Sequence, residues 1–210
     1  NLIIISSLLS LYFVELSLFY IIDYANKKKL EEKKKIYYEK TGKNFDTRET
    51  LEIYNDLKNQ NIRLFIPPYK FIEDKLVPLS GISRSKTLFC NENGQYIFYK
   101  SDRYGFNNLD NNWDKKKISY FLIGDSFAQG ACVEQSRNIS GSLSKLVDKE
   151  SGVINVGASG NGPLLSHAAM KEYSKKLNIK NLIWLFYDND IQNLAEREID
   201  NKLLLKYLID

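Results

Sequence analysis

The stretch that decides the fold is KISYFLIGDSFAQG, which occupies residues 117–130. An apolar run rich in β-branched and aromatic residues leads directly into Gly124, Asp125 and Ser126, and a helical pattern follows after a loop. This order predicts a strand that ends at Ile123, a sharp turn and then a helix. Such a turn presents a side chain at the carboxyl end of a strand, where ligands and catalytic groups collect in α/β sheets. Ser126 is therefore a candidate nucleophile.

The alternation of strands and helices continues after this stretch. Apolar spacing predicts a helix over residues 139–147, a strand over 152–156, a helix over 163–177 and a strand over 181–187. A last helix is predicted over residues 191–208. Because the third strand is apolar throughout, we expect it to be covered on both faces. The alternation is typical of an α/β protein with an open parallel sheet.

Right-handed connections would place the three strand ends side by side. Their loops would then supply Ser126 from the first strand, backbone N–H groups around Gly160 from the second and Asn189 from the third. Acyl transfer needs a nucleophile close to hydrogen-bond donors that stabilise the oxyanion of a tetrahedral intermediate. The three loops can provide that arrangement.

These loops resemble the motifs of the SGNH hydrolases, also called the GDSL esterase and lipase superfamily. The run at residues 124–127 is similar to the first block of the family, Ser159-Gly160 to the second, and Tyr187-Asp188-Asn189-Asp190 to the third block, Gly-x-Asn-Asp. Tyr187 stands where that third block has glycine. The resemblance spans residues 117–191.

The resemblance implies a three-layer α/β/α, flavodoxin-like parallel sheet. It also implies that Ser126 is the nucleophile and that its N–H, the Gly160 N–H and the Asn189 side chain form the oxyanion hole. Gly124, Asp125 and Asp190 would support this site, and no cofactor or metal is implied. The residues themselves also allow Asp125 to act by capping the turn and Asp190 to act as a helix N-cap. Trp113 and Trp184 are predicted to be core residues.

The general base of the family is missing. The family takes it from an Asp-x-x-His block, and no such block follows Asp190 in this sequence. The single histidine, His167, is predicted about 6 Å below the site on a helix that runs away from it, which favours a packing role. One hypothesis is a truncated chain whose missing part holds the remaining strands and the Asp-His pair. The alternative is a non-catalytic SGNH-like domain that binds a glycan or a partner protein.

The first part of the chain reads as a membrane segment followed by a basic region. Residues 2–22 form an apolar run that is long enough to cross a hydrocarbon layer of about 30 Å. A signal peptide is the rival interpretation, and Glu15 leaves a buried amphipathic helix open. Two lysine runs lie within residues 27–35. By the positive-inside rule they favour a cytoplasmic location for the part of the chain that follows the apolar run. Alternatively, they belong to a solvated helix with Glu and Lys pairs.

We divide the chain into four parts on these patterns. They are a transmembrane anchor at 1–24, a basic helical linker at 25–60, an irregular arm with a hairpin at 61–116 and the SGNH hydrolase domain, N-terminal portion, at 117–210. Within them, a capping pattern predicts a helix over about residues 47–60 and an Asn-Gly turn predicts a hairpin of residues 87–90 and 95–99. A proline pair, Pro67-Pro68, is expected to stop any regular element.

Composition excludes several classes of protein. The 210 residues are 43% hydrophobic and 13% aromatic, which is typical of a packed domain and not of a disordered chain. The net charge of +4 is mild and the lysines lie in runs, so we expect no nucleic-acid partner. Cys90 and Cys132 are too few for a disulfide scaffold or a zinc site, and either one bridge or two unrelated buried thiols fits them.

The anchored bacterial members of the superfamily suggest a setting for the protein. Their resemblance to this chain implies an acyl ester as substrate, for example an acetyl group on a polysaccharide. It also implies an extracytoplasmic domain, periplasmic or at the cell surface, held to the membrane by residues 2–22. The membrane side implied in this way is opposite to the one that the lysine runs favour.

Overall fold

The computed structural model describes residues 2–60 and 76–209. The predicted break at Pro67-Pro68 lies outside the described residues. The chain forms two compact units, residues 1–47 with 93–95 and residues 48–92 with 96–210, and each is described by itself.

The first unit is dominated by one helix. Helix α1 spans Leu2–Thr41, and its side chains from Ile4 to Ile22 are largely exposed. The helix has the length and composition of a membrane span, with a mean hydropathy of 1.8 in its most apolar window. A signal sequence meets the same criteria of length and composition. The predicted lysine runs continue the same helix, and pairs such as Lys27 with Asp23 and Lys34 with Glu31 join its successive turns.

The second unit begins with a short helix and a hairpin. Helix α2 spans Thr50–Asn59, and the Glu49 backbone N–H donates to the Glu52 carboxylate at 2.7 Å near its start. Strands β1 (Lys86–Leu88) and β2 (Phe98–Lys100) pair antiparallel, as the Asn-Gly turn predicts. Cys90 and Cys132 form a disulfide, which decides between the two alternatives that the sequence left open.

A three-stranded parallel sheet forms the centre of the second unit. Its strands are β3 (Lys117–Gly124), β4 (Ser151–Asn155) and β5 (Ile179–Leu185), in the order β4-β3-β5. Phe121, Ile123 and Ile154 from this sheet are fully buried in one apolar cluster. The α/β class and the parallel sheet are therefore confirmed.

Short helices connect and follow the strands. After β3 come α3 (Ser126–Gln129) and α4 (Ile139–Ser144), and α5 (Pro163–Ser174) links β4 to β5. After β5 the chain forms α6 (Asp188–Asn193), a π-helical turn (Leu194–Glu198) and α7 (Lys202–Lys206). The single helix predicted over residues 191–208 is wrong, because the Asn201 side chain accepts hydrogen bonds from the Leu203 and Leu204 N–H groups and starts a new helix.

The expectation that the third strand is covered on both faces is also wrong. Its residues alternate between half-buried and exposed, and Leu182 and Trp184 are 49% and 44% exposed. Trp184 is therefore not a core residue, whereas Trp113 packs against the core cluster. A continuous apolar run does not distinguish a central strand from a terminal one, and β5 is the terminal strand of the described sheet.

Candidate functional site

The candidate site lies where the strand order reverses. The chain passes from the central strand β3 to β4 on one side and then to β5 on the other side. The carboxyl end of β3 is therefore a topological switch point, the place where open α/β sheets bind ligands. Ser126 is the first residue of α3 and follows this strand end directly.

Gly124 makes the turn after β3 possible. Its φ is +141°, a conformation that residues with a Cβ rarely adopt. A Cβ there would also lie 2.5 Å from the Leu185 carbonyl oxygen at the end of β5. Glycine at this position lets the two strand ends approach each other.

Asp125 joins the first and third predicted loops. It is buried, and its Oδ1 accepts a hydrogen bond from the Phe127 N–H at 2.9 Å, which caps α3. Its Oδ2 accepts from the Asn189 Nδ2 at 3.0 Å and from the Ser126 hydroxyl at 3.4 Å. The capping role of Asp125 is thus confirmed, and the same carboxylate holds Asn189 beside Ser126.

The second loop packs against the same turn. The Gly124 carbonyl accepts from the Ala158 N–H at 3.2 Å and from the Asn161 Nδ2 at 3.3 Å. Gly160 lies between these two contacts with a φ of +77°. All three loops predicted from the sequence therefore meet at the carboxyl end of β3.

Three hydrogen-bond donors at this edge are available. In the described part of the chain, no hydrogen bond uses the backbone N–H of Ser126 or of Gly160. The Asn189 amide carries two N–H donors, and one of them goes to Asp125. Two backbone donors and one side-chain donor are the groups that an oxyanion hole uses.

Asp190 is buried at the start of α6. Its Oδ2 accepts from the Tyr187 N–H at 2.8 Å. The N-cap of α6 is Tyr187 and Asp190 is the third residue of the helix, so the N-cap interpretation is wrong, and Asp190 instead supplies the carboxylate of a capping box. Its Oδ1 is buried and has no partner among the described residues. Burial, and then the nearby charge of Asp125, raises the pKa of Asp190 although the Tyr187 hydrogen bond opposes this shift.

His167 is not joined to the site. It lies in α5, and within the described ranges it has no hydrogen bond to Ser126 or Asp125. Its Nδ1 is buried and has no hydrogen-bond partner in the part of the chain that the structure describes. Burial, together with the Lys171 charge, lowers the pKa of His167, which favours the neutral imidazole.

Sequence reasoning missed the residues that hold the second loop. The Gln129 Oε1 accepts from both the N–H and the hydroxyl of Ser159 at 2.7 Å. The fully buried Glu198 carboxylate accepts from the Gly162, Leu164 and Leu165 N–H groups at 2.6, 2.9 and 3.4 Å. Glu198 reaches across more than thirty positions of sequence, and no local pattern announces such a contact.

The surroundings of the site are aromatic on one side and basic on the other. The Phe127 and Tyr187 rings lie beside the turn, 4.9 Å apart, and both are more than half exposed. The Arg197 guanidinium lies 3.6 Å from the position that a Cβ would take on Gly160, and it donates to the Asn193 side chain. Among residues 2–60 and 76–209, no group of three or more His, Cys, Asp or Glu residues could hold a metal ion.

Comparison with protein-family models, with curated proteins and with solved structures finds no match to this chain.

Proposed function

We propose that this chain carries the nucleophile and the oxyanion hole of a serine esterase of the SGNH type. Ser126 is the nucleophile, and the N–H groups of Ser126 and Gly160 with the Asn189 amide receive the oxyanion. Gly124, Asp125 and Asp190 shape and support the site. The substrate is an acyl ester, for example an O-acetyl group on a carbohydrate.

The reaction follows from these roles. The Ser126 Oγ attacks the ester carbonyl carbon while its proton passes to a base, and the carbonyl oxygen becomes the oxyanion. When the oxyanion collapses, the bond to the alcohol oxygen breaks, and the alcohol leaves with a proton. Water then attacks the acyl group on Ser126 and releases the acid, or a second alcohol takes the acyl group. No imidazole among the described residues is placed to act as this base, so the proposed reaction takes its base from outside the described residues.

One observation carries the proposal. Asn189 follows β5 and Ser126 follows β3, and the buried Asp125 carboxylate bonds to both side chains. The two residues are 63 positions apart in the sequence, and they match separate blocks of the SGNH motif. A non-specific turn would not need the amide of a distant strand end at the serine.

The fold supports the same proposal in its finer form. We propose the three-layer, flavodoxin-like architecture because the order β4-β3-β5 corresponds to the order 2-1-3 with which such sheets begin. Buried Ala169 of α5 packs against the sheet side chains Phe121 and Ile154, which supplies a helical layer on one face.

Fluorophosphonate labelling tests the function. The full chain in detergent is treated with the probe, with imidazole added as a proton acceptor, and the adduct is located by peptide mass mapping. We expect slow labelling at Ser126 that imidazole accelerates. Asn189→Leu is expected to reduce this rate by about 10²-fold because one oxyanion donor is lost.

The control is Ser126→Ala, which removes only the hydroxyl. Equal labelling of this variant would remove Ser126 as the nucleophile. Without added imidazole, we expect the chain to hydrolyse p-nitrophenyl acetate no faster than Ser126→Ala, because no imidazole among the described residues is placed to take the Ser126 proton.

The alternative function is a non-catalytic domain that binds a glycan or a partner protein at the same edge. The separation of His167 from Ser126 favours it, because among the described residues the Ser126 hydroxyl donates to the Asp125 carboxylate and no imidazole is placed to take its proton. A chain that binds an acylated glycan, and whose Ser126 does not react with the probe even with imidazole, would support this alternative.

We also propose an extracytoplasmic location with α1 as the anchor. The Cys90–Cys132 disulfide supports this location because such bonds persist in oxidising compartments. Thiol alkylation of acid-quenched cells, before and after reduction, tests it: the two cysteines should react only after reduction. Reaction of both thiols without reductant would favour the cytoplasmic side that the lysine runs indicate.

A further inference from the structure

A second cavity lies away from Ser126, beside the outer edge of β4. Its volume is about 270 Å³. One wall is the segment 107–112, the opposite wall is the segment 135–145 with α4, and Val153 of β4 completes the lining. The space is several times larger than the roughly 30 Å³ that one water molecule occupies, and it is close to the lower limit of small-molecule pockets.

Two amide side chains of the lining each have one polar atom without a partner among the described residues. Asn107 is only 2% exposed, and its Oδ1 accepts no hydrogen bond from any described residue. Its Nδ2 donates to the Gln129 carbonyl oxygen at 3.0 Å, which fixes which end of the amide is the free acceptor. The Gln135 Nε2 is also buried and has no acceptor in the described ranges. Buried amide groups without partners are uncommon in native proteins, so a bound molecule that pairs with both of them would stabilise this region.

The chemistry of the lining defines the ligand. A group that satisfies both amides must donate to Asn107 and accept from Gln135, and a hydroxyl does both. Three serine side chains and two further asparagines, Asn108 and Asn112, add polar groups, while Leu109 and Val153 supply an aliphatic surface. The one charged residue of the lining, Lys145, is exposed. The interior of the cavity therefore suits a compact, uncharged ligand with several hydroxyls and an apolar C–H face.

We propose that this cavity binds a neutral polyhydroxylated ligand of monosaccharide size, such as one hexose unit of a glycan. The ligand hydroxyls donate to the Asn107 Oδ1 and accept from the Gln135 Nε2. The site is separate from the proposed nucleophile, so it does not depend on esterase activity. It would hold a sugar unit whether the neighbouring site hydrolyses esters or only binds.

Saturation-transfer NMR and calorimetry on the full chain test the proposal. The chain is kept in a zwitterionic detergent, because a glycoside detergent would itself offer a sugar. The probes are D-glucose, D-galactose, D-mannose, N-acetyl-D-glucosamine, D-glucuronate and glycerol. We expect saturable binding of at least one neutral hexose that is stronger than the binding of glycerol and of glucuronate.

Gln135→Glu is the main variant, because it keeps the shape and replaces the free donor by an acceptor. It should weaken hexose binding about tenfold or more. Gln135→Met, which removes the amide and keeps the length, should weaken binding in the same direction. The Gln135→Met variant should unfold at the temperature of the parent chain, because the Gln135 Nε2 makes no hydrogen bond to any described residue.

Two controls separate hexose binding in this cavity from binding through the Lys145 charge or at Ser126. Lys145→Gln should leave hexose binding within about twofold, because the ligand is neutral and needs no cation. Ser126→Ala should also leave it unchanged, so that failure of the esterase proposal stays distinct. Three results would overturn the inference: no saturable binding of any neutral hexose, which means that the cavity holds water only; equal binding by Gln135→Glu; or preferred binding of glucuronate that Lys145→Gln abolishes.

Discussion

The two outer strands of the sheet, β4 and β5, are both apolar in sequence but have opposite surroundings. All five residues of β4 are buried, whereas β5 exposes every second side chain. On the outer side of β4, the Asn108 side chain accepts from the Asn155 N–H and donates to the Asn155 carbonyl, both at 2.9 Å. The Asn112 amide donates to the Val153 carbonyl at 2.8 Å. Side-chain amides therefore form hydrogen bonds with the outer backbone groups of β4, as a further strand would.

The outer side of β5 has no such cover in the described ranges. β5 pairs with β3 on its inner side, and its outward apolar side chains include Leu182 and Trp184. A polar segment elsewhere in the chain can therefore decide whether the edge of a strand is covered, as much as the sequence of the strand itself. Residues 101–112 of the irregular arm cover the outer edge of β4, and no described segment covers the outer edge of β5.

The largest predicted effect concerns Asp102, which holds the arm in place. Its carboxylate is fully buried and accepts from the Tyr104 and Phe106 N–H groups, the Asn108 amide and the Trp113 indole at 2.7–2.9 Å. Asp102→Ala leaves these donors without an acceptor, so we expect a loss of about 3 kcal/mol or more in the free energy of unfolding. Urea unfolding followed by tryptophan fluorescence measures it.

Asp102→Asn is the matched control for that prediction. The asparagine keeps one carbonyl oxygen as an acceptor, but its NH2 group faces one pair of the N–H donors. Its loss in the free energy of unfolding should therefore be smaller than that of Asp102→Ala. A loss below about 1 kcal/mol for Asp102→Ala would mean that the arm does not seal the β4 edge.

The second prediction concerns Glu198, which ties the loop after β4 to the segment after β5. Glu198→Ala removes the acceptor of three backbone N–H groups at the start of α5. We expect a loss of about 2 kcal/mol in the free energy of unfolding and faster hydrogen exchange at Gly162, Leu164 and Leu165. Glu198→Gln keeps one carbonyl acceptor and should lose less. Unchanged exchange at these amides would contradict the assignment.

The third prediction uses pH at the end of β5. Because the pKa of Asp190 is raised in the folded chain, the folded state binds its proton more tightly than the unfolded state does. The stability from this group is present below the ordinary carboxyl pKa of 3.8 and is lost as the pH rises through the raised value. Asp190→Asn removes the titration.

Urea unfolding of both chains at pH 3 and pH 7 checks this sign. The stability of Asp190→Asn relative to the parent should increase between the two pH values, since the variant carries no buried charge. The same difference at both pH values, or a decrease, would show that Asp190 is not the group that titrates.

The sequence predicts the elements of this fold better than their surroundings. The strand and turn at residues 117–126 are local features, set by apolar spacing and by Gly124, so they are readable without the structure. The meeting of the loops that carry Ser126, Gly160 and Asn189 also follows from the sequence, because parallel strands bring their carboxyl ends to one edge. The contacts of Asn108 and Glu198 could not be predicted, since each joins segments more than thirty positions apart that only the folded chain brings together. The Asp102 contacts lie within residues 102–113, in an irregular segment where no periodic pattern indicates them. The exposed face of β5 has the same apolar residue types as a buried strand, so its exposure could not be predicted either.

The smallest predicted effect concerns the exposed face of β5, and it tests directly whether β5 differs from β4 in burial. Leu182→Thr with Trp184→Thr replaces two half-exposed side chains by a residue that favours strands, so we expect less than about 1 kcal/mol of change in the free energy of unfolding. Phe121→Ala, at a fully buried position of β3, should lose about 3–5 kcal/mol as the matched control. The emission of the remaining Trp113 reports unfolding in the double variant. If the double variant loses as much stability as Phe121→Ala, β5 is covered in solution and its contrast with β4 disappears.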